Sequence, residues 1–247
     1  MNIKRRSWLA LFPIALFASN FAVAQDENDM QWAITPYAWF PTTTVDVKFR
    51  DTNIGSGEID FRDVLDVLES AFMLHVEGGR GNWSAFADIT YVNTSDTTER
   101  ELLTIDADNE QVLVDAVIAY WPSGVGSPLS FFGGVRYSGL DNQIRVRLDD
   151  TELGTQSSSN DYYDALLGVR YRFDLNDKWA ILTRADYSIG DSEASYLLRA
   201  SLAYTVGKRQ QNKVLFGYQH RQAEYKEGDL KTDLQLSGFM AGFSFQF

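Results

Sequence analysis

Apolar and polar residues alternate with a period of two along most of this chain. The last ten residues, GFMAGFSFQF, put Phe247, Phe245, Phe243, Ala241 and Phe239 on one face and Gln246, Ser244, Gly242, Met240 and Gly238 on the other. WAILTRADYSI sets Trp179, Ile181, Thr183, Ala185, Tyr187 and Ile189 against Ala180, Leu182, Arg184, Asp186 and Ser188. In YDALLGVRYRF the apolar face is Tyr163, Ala165, Leu167, Val169, Tyr171 and Phe173, while Asp164, Gly168, Arg170 and Arg172 point the other way. Successive side chains of a strand point to opposite faces, so this pattern predicts strands with one apolar face. Ten are predicted, at 31–40, 69–79, 82–93, 110–121, 128–139, 160–173, 177–189, 194–206, 212–224 and 234–247. Each is close to the ~9–11 residues with which a tilted strand crosses a bilayer.

A soluble β-sandwich also alternates, with its apolar faces in a core. Two features favour lipid instead. Aromatic residues bracket the apolar faces at a fixed interval: Trp83/Tyr91, Tyr163/Tyr171, Trp179/Tyr187 and Tyr196/Tyr204 are each eight residues apart on one face. Eight residues of tilted strand rise about 20 Å along the membrane normal, near the height of the apolar band between the two aromatic girdles of a membrane barrel. The opposite faces carry charges in mid-strand, which suits an enclosed polar lumen. The reading is therefore all-β, a closed antiparallel transmembrane β-barrel of about ten strands, with eight or twelve left open by the ambiguous segment 41–68.

The links alternate in length. GGRGN (78–82), PSGVGS (122–127), LNDK (175–178) and GKRQQN (207–212) are short, whereas 94–109 and 140–159 read as long outer loops, with SSSN (157–160) as a flexible part. An even strand number leaves both ends on the side of the short turns, the periplasm. Within 41–68, Val45, Val47 and Phe49 alternate as a strand rising above the membrane, and Phe61, Val64, Leu65 and Leu68 fall at helical spacing. This predicts a short amphipathic helix in the first outer loop, packed on the barrel mouth, with a partial plug as the alternative.

The first residues are of another kind. Lys4, Arg5 and Arg6 precede the apolar run Trp8–Phe17 and a small-x-small exit at Ala22 and Ala24, the pattern of a secretory signal peptide. Cleavage after Ala24 is expected, leaving 25–247 as the barrel. This removes three of the 22 Lys+Arg and none of the 34 Asp+Glu, moving the net charge from −12 to −15. So acidic an exported chain is a poor nucleic-acid binder, which needs a basic footprint. There is no cysteine, hence no disulfide or thiol chemistry.

The ending now has a reason. A last strand must show lipid an unbroken apolar stripe while it closes the barrel on the first, because an open edge is not tolerated in hydrocarbon. Phe243, Phe245 and the terminal Phe247 resemble the C-terminal assembly signal of Gram-negative outer-membrane barrels, and TPYAWFP (35–41) and NWSAFADITYVN (82–93) are similar to segments of small proteins of that class. The resemblance implies location in the bacterial outer membrane, contact with its lipids and lipopolysaccharide, and recognition by the barrel assembly machinery. It implies no activity. A monomer is expected.

Depth in the lumen can be counted from the girdles. Asp88, Arg184, Arg199 and Asp115 each lie five residues above Trp83, Trp179, Tyr204 and Tyr120, so they share one level just above the midplane. Asp88 and Asp115 are on adjacent strands, and Arg184 and Arg199 on another adjacent pair roughly across the lumen. Glu77, Asp164, Asp186, Arg136, Arg170, Arg172 and Arg221 also face inward, giving five acids against six arginines. Near-balance is what an enclosed interior demands, since an unpaired buried charge costs several kcal/mol. If these side chains meet, the barrel is sealed and serves as a rigid envelope scaffold; if they stand apart, they form a narrow small-solute channel with a transverse field.

Enzymatic chemistry at the outer rim is the alternative of another class. The two histidines are His75, facing inward near Glu77, and His220, facing outward with Glu224 among interface aromatics. Structural roles are expected for both, with no catalytic residue and no cofactor. The acidic clusters Asp96, Glu99, Glu101; Asp106, Asp108, Glu110; and Asp149, Asp150, Glu152 read as solvated surface, without a calcium-loop or zinc spacing.

Overall fold

The computed structural model describes residues 30–50, 52–100, 103–148, 151–207 and 211–247. The predicted signal segment 1–24, and Glu101, Asp149 and Asp150, lie outside the described residues. The elements are β1 (Gln31–Phe49), β2 (Thr52–Ile59), α1 (Phe61–Val67), β3 (Leu68–Arg80), β4 (Trp83–Arg100), β5 (Leu103–Tyr120), β6 (Leu129–Leu148), β7 (Thr151–Asp174), β8 (Trp179–Gly190), β9 (Ala194–Val206), β10 (Asn212–Glu227) and β11 (Leu230–Gln246). Sequential antiparallel pairing runs from β3 to β11, and β11 closes on β1 from Ala33↔Gln246 to Phe49↔Leu230. Phe247 and Trp32 exchange both backbone hydrogen bonds at the lower rim, at 2.9 and 3.1 Å.

Ten strands close the barrel, and β2 is an eleventh that lies outside the ring. The lower part of β1, Gln31–Pro36, pairs with β3, and its upper part, Thr43–Phe49, pairs with β2. Between the two the ladder breaks, and the Trp39 N–H donates instead to Met73 Sδ at 3.2 Å. Helix α1 spans this step. No residue of it is buried, and Phe61 packs edge-on against the outward Phe40 at 4.8 Å between ring centroids. It therefore sits on the wall at the outer interface and does not plug the lumen.

The described residues of the stretches 94–109 and 140–159, expected as outer loops, are strand. The β4–β5 ladder continues from Asn93↔Glu110 to Arg100↔Leu103, and β6–β7 from Gly139↔Asp161 to Leu148↔Thr151, so SSSN is part of β7. The wall thus rises about 20 Å above Tyr91, at ~3.3 Å per residue with tilt. Above the membrane both faces are wet, so nothing forces apolar residues onto one of them, and the period-two signal fades although the strand does not. Cross-strand polar pairs hold this part together. Ser95 donates to Asp108 at 2.6 Å, Thr97 donates to Asp106 at 2.9 Å, and Arg147 pairs with Asp106 at 2.7 Å. Lys48, on the upper part of β1, donates to Asp233 at 2.7 Å, which raises its pKa above the ordinary lysine value.

Below that level the barrel is a soluble protein turned inside out. Leu167 is 71% exposed and its neighbour Leu166 only 1%. Ile118, Val135, Leu198 and Leu202 are exposed with Leu167. Ring pairs frame this band, with Trp83–Tyr120 and Trp179–Tyr204 below and Tyr137–Tyr163 above. Inside, Phe86, Val117, Ala119, Phe132 and Leu166 form one core cluster, and Trp39, Met73, Leu236 and Met240 another. Gly168 makes room for the first of these, since a Cβ there would fall within 2.6 Å of two Phe132 ring atoms.

Candidate functional site

The inward charges gather between these two apolar clusters. In register, Asp88 is opposite Asp115 on β4–β5 and Arg184 is opposite Arg199 on β8–β9. Like charges directly opposite repel, so each pair gains by reaching across the lumen to the other wall. Arg184 does so. Its Nε lies 2.6 Å from Asp186 Oδ2, its Nη1 3.2 Å from Asp88 Oδ2 and its Nη2 2.6 Å from Asp115 Oδ2. Arg136, fully buried, holds both oxygens of Asp115 at 2.7 and 3.0 Å and reaches Asp186 at 2.9 Å.

The network continues through the other partners of Asp88 and, by way of Glu77, towards the periplasm. Arg199 Nη1 is 3.6 Å from Asp88, and its Nε donates to Gln219 at 2.6 Å. Tyr37 donates to Asp88 Oδ1 at 2.6 Å. His75 lies between Asp88 and Glu77, 3.5 Å from each. Arg170 makes a two-pronged contact with Glu77 at 2.9 and 2.8 Å and lies over the Phe86 ring at 4.6 Å. Four arginines and four carboxylates thus form one connected cluster, with the aromatic faces of Phe86 and Phe132 against its cations. Fork-shaped guanidinium pairs of this kind are among the stronger protein hydrogen bonds.

Three of the inward residues expected in the network stand outside it. Asp164 is opposite Arg136 in register but accepts from Ser188 and from the backbone and side chain of Ser192. Arg221 is buried and, among the described residues, meets Ser138 Oγ at 3.4 Å and no carboxylate. Arg172 pairs with Asp174 at 2.9 Å and donates to the Gly126 carbonyl at the lower rim. The structure adds Tyr37, Gln219 and Ser84, which donates to Glu77 Oε1 at 2.6 Å, to the network; their inward parity on β1, β10 and β4 is the signal that places them. Of the terminal trio, the Phe243 and Phe245 rings lie 4.6 Å apart and Phe247 is exposed at the lower rim.

Beneath the cluster is a cavity of about 420 Å³, lined by Tyr37, His75, Glu77, Arg170, Arg172 and Lys213 among others, and reaching the lower-rim residues Gly126 and Phe247. It ends at Arg184 and Arg199. The lumen is thus a vestibule on the periplasmic side, a charged layer at mid-height, and packed apolar side chains around that layer.

No family model matches the sequence, and no curated protein matches it. Solved structures do. The outer-membrane protease OmpT of Escherichia coli aligns with a TM-score of 0.57 at 9% identity, over 92% of this chain and 99% of that one. The attachment invasion locus protein Ail of Yersinia pestis aligns at 0.39 and 11% identity, over 87% and 98%. The outer membrane protein OprG of Pseudomonas aeruginosa aligns at 0.32 and 16% identity, over 89% and 97%. The chain has the fold of Gram-negative outer-membrane β-barrel proteins. Its exposed apolar band, framed by aromatic rows, is the surface such a barrel turns to the lipid of that membrane.

Proposed function

We propose that this protein is a closed outer-membrane barrel whose role in the envelope is structural, a rigid wall that carries its long outer strands and passes no solute at rest. The observation that supports this is the Arg184 guanidinium, joined from β8 to Asp88 and Asp115 on the opposite wall. A ten-stranded barrel is near the size at which side chains alone fill the interior, and here they pack as apolar clusters on either side of the charged layer. The barrel works as a monomer in contact with outer-membrane lipid and lipopolysaccharide. Its last strand, with Phe243, Phe245 and Phe247, is the segment the barrel assembly machinery reads.

A narrow channel is the second reading, favoured by the vestibule that runs up to Arg184 and Arg199. Planar-bilayer recording of the refolded protein separates the two. The wild type is expected to show no steady current, and Arg184→Ala with Arg199→Ala is expected to open a measurable conductance. Steady wild-type current overturns the sealed reading. A silent double variant would show that this layer is not what blocks the lumen.

A further inference from the structure

His220 and Ser237 lie opposite each other across the β10–β11 ladder, on the outer surface of the barrel. Ser237 Oγ is 2.6 Å from His220 Nδ1. From β9, Tyr196 Oη lies 3.2 Å from His220 Nε2 and donates to Gln222 Oε1 at 2.8 Å. The direction of the protons follows from the far end. Gln222 Oε1 only accepts, so the tyrosine proton points there and its oxygen is left to accept from Nε2–H. Nδ1 is then the bare ring nitrogen, and it faces the serine hydroxyl. A hydroxyl nucleophile, a base within hydrogen-bond reach and a group orienting that base are the elements of an activated serine.

The depth of this chain of groups is also specific. One outward row below it are Phe40, Phe239 and Tyr218, neighbours in register, with Phe216 stacked on Phe239. Phe216 and Phe239 are each 57% exposed. Two outward rows above Ser237 are Asp46, Asp233 and Glu224, and the next row holds Lys48, Lys231 and Lys226. The serine therefore stands where hydrocarbon gives way to charge, the level at which the ester links of a bilayer lipid sit, with an aromatic surface beneath it for an acyl chain.

We infer that the outer face of β9–β11 is a fatty-acyl esterase site, with Ser237 as nucleophile and His220 as base, and Tyr196 and Gln222 as positioning residues. Ser237 Oγ attacks the ester carbonyl carbon while its proton passes to His220 Nδ1. The bond from that carbon to the alcohol oxygen breaks, and the alcohol leaves with the proton. Interfacial water, giving a proton to the same nitrogen, then attacks the acyl-serine, releasing the fatty acid and restoring the serine. Diacyl phospholipid and lipopolysaccharide both carry such esters. The site is independent of whether the lumen conducts.

The test uses the full refolded protein in detergent micelles with a fluorophosphonate probe, read by intact mass and peptide mapping. One adduct on Ser237 is expected, absent in Ser237→Ala and formed at least ~100-fold more slowly in His220→Gln, the range general-base assistance supplies. Tyr196→Phe should still label but with a displaced pH–rate profile, which a purely structural tyrosine would not move. Unheated gel mobility confirms that each variant is folded. Fatty-acid release is then measured on phospholipid micelles and on lipopolysaccharide, and the arm that responds identifies the source. Folded wild type that takes no adduct at Ser237 and releases no fatty acid from either lipid overturns the proposal, as does release that persists unchanged in Ser237→Ala.

Discussion

Arg184→Ala is expected to destabilise the barrel by about 3–5 kcal/mol, the cost of removing one partner from a buried ion pair and stranding the other. The effect is large because one guanidinium serves Asp88, Asp115 and Asp186 together. Asp115 and Asp186 retain Arg136, and Asp88 retains Tyr37, His75 at 3.5 Å and a longer contact to Arg199. Among the described residues nothing else joins β8 to Asp88 by so direct a link. Urea unfolding in liposomes, followed by tryptophan fluorescence, gives the figure. Replacing Arg184, Arg199 and Arg136 together with Asp88, Asp115 and Asp186 by apolar residues of similar volume should cost far less than the single change, because the three arginines and the three carboxylates leave together and none of them strands another. A single change with no measurable cost would mean that the layer is solvated and the arginine replaceable by water.

Leu167→Arg is expected to cost about 2–4 kcal/mol in a bilayer, the penalty for arginine on the lipid face near the midplane of an outer-membrane barrel. Leu167 is the most exposed large apolar residue among the described residues, at 71%. On a water-soluble protein such a leucine could become arginine at almost no cost, since surface substitutions are usually within ±0.5 kcal/mol. The substitution therefore separates a lipid-facing surface from a wet one. The reporter is again the urea midpoint, compared with that of Tyr137→Arg at the girdle, where the penalty falls to about 0–1 kcal/mol. Equal, negligible costs at both positions would show that the band does not face hydrocarbon.

Much of this architecture was legible in the residues, and for a physical reason. Where one face meets lipid and the other the lumen, the two environments differ sharply, and period-two alternation records the difference residue by residue. All ten barrel strands were readable on that ground, as was the placing of Arg184 and Arg199 across the lumen from Asp88 and Asp115, which they reach. The strand extensions were not, because water on both sides leaves 94–100, 103–109, 140–148 and 151–159 without a preferred face. Pairing partners were not legible either. Asp164 lies beside Arg136 yet turns to Ser188 and Ser192, a choice made by side-chain torsions that no alternation encodes. The His220–Ser237 pair was nearer to reach. Each β10–β11 partner pair is equidistant from the two-residue turn Gly228–Asp229, where Gly228 has φ of 61°. Reading EGD as that tight turn places Ser237 opposite His220.

The most direct test of the alternating wall uses the absence of cysteine from the chain. Single cysteines along β9, at Leu197, Leu198, Ala200, Ser201, Leu202 and Ala203, are labelled with a small fluorophore in the unfolded protein, which is then refolded into liposomes carrying a lipid-borne quencher. Strong quenching is predicted at 198, 200 and 202 and little at 197, 201 and 203. Uniform quenching, or quenching in the opposite phase, would contradict a barrel that turns its apolar side chains to lipid and encloses its charges.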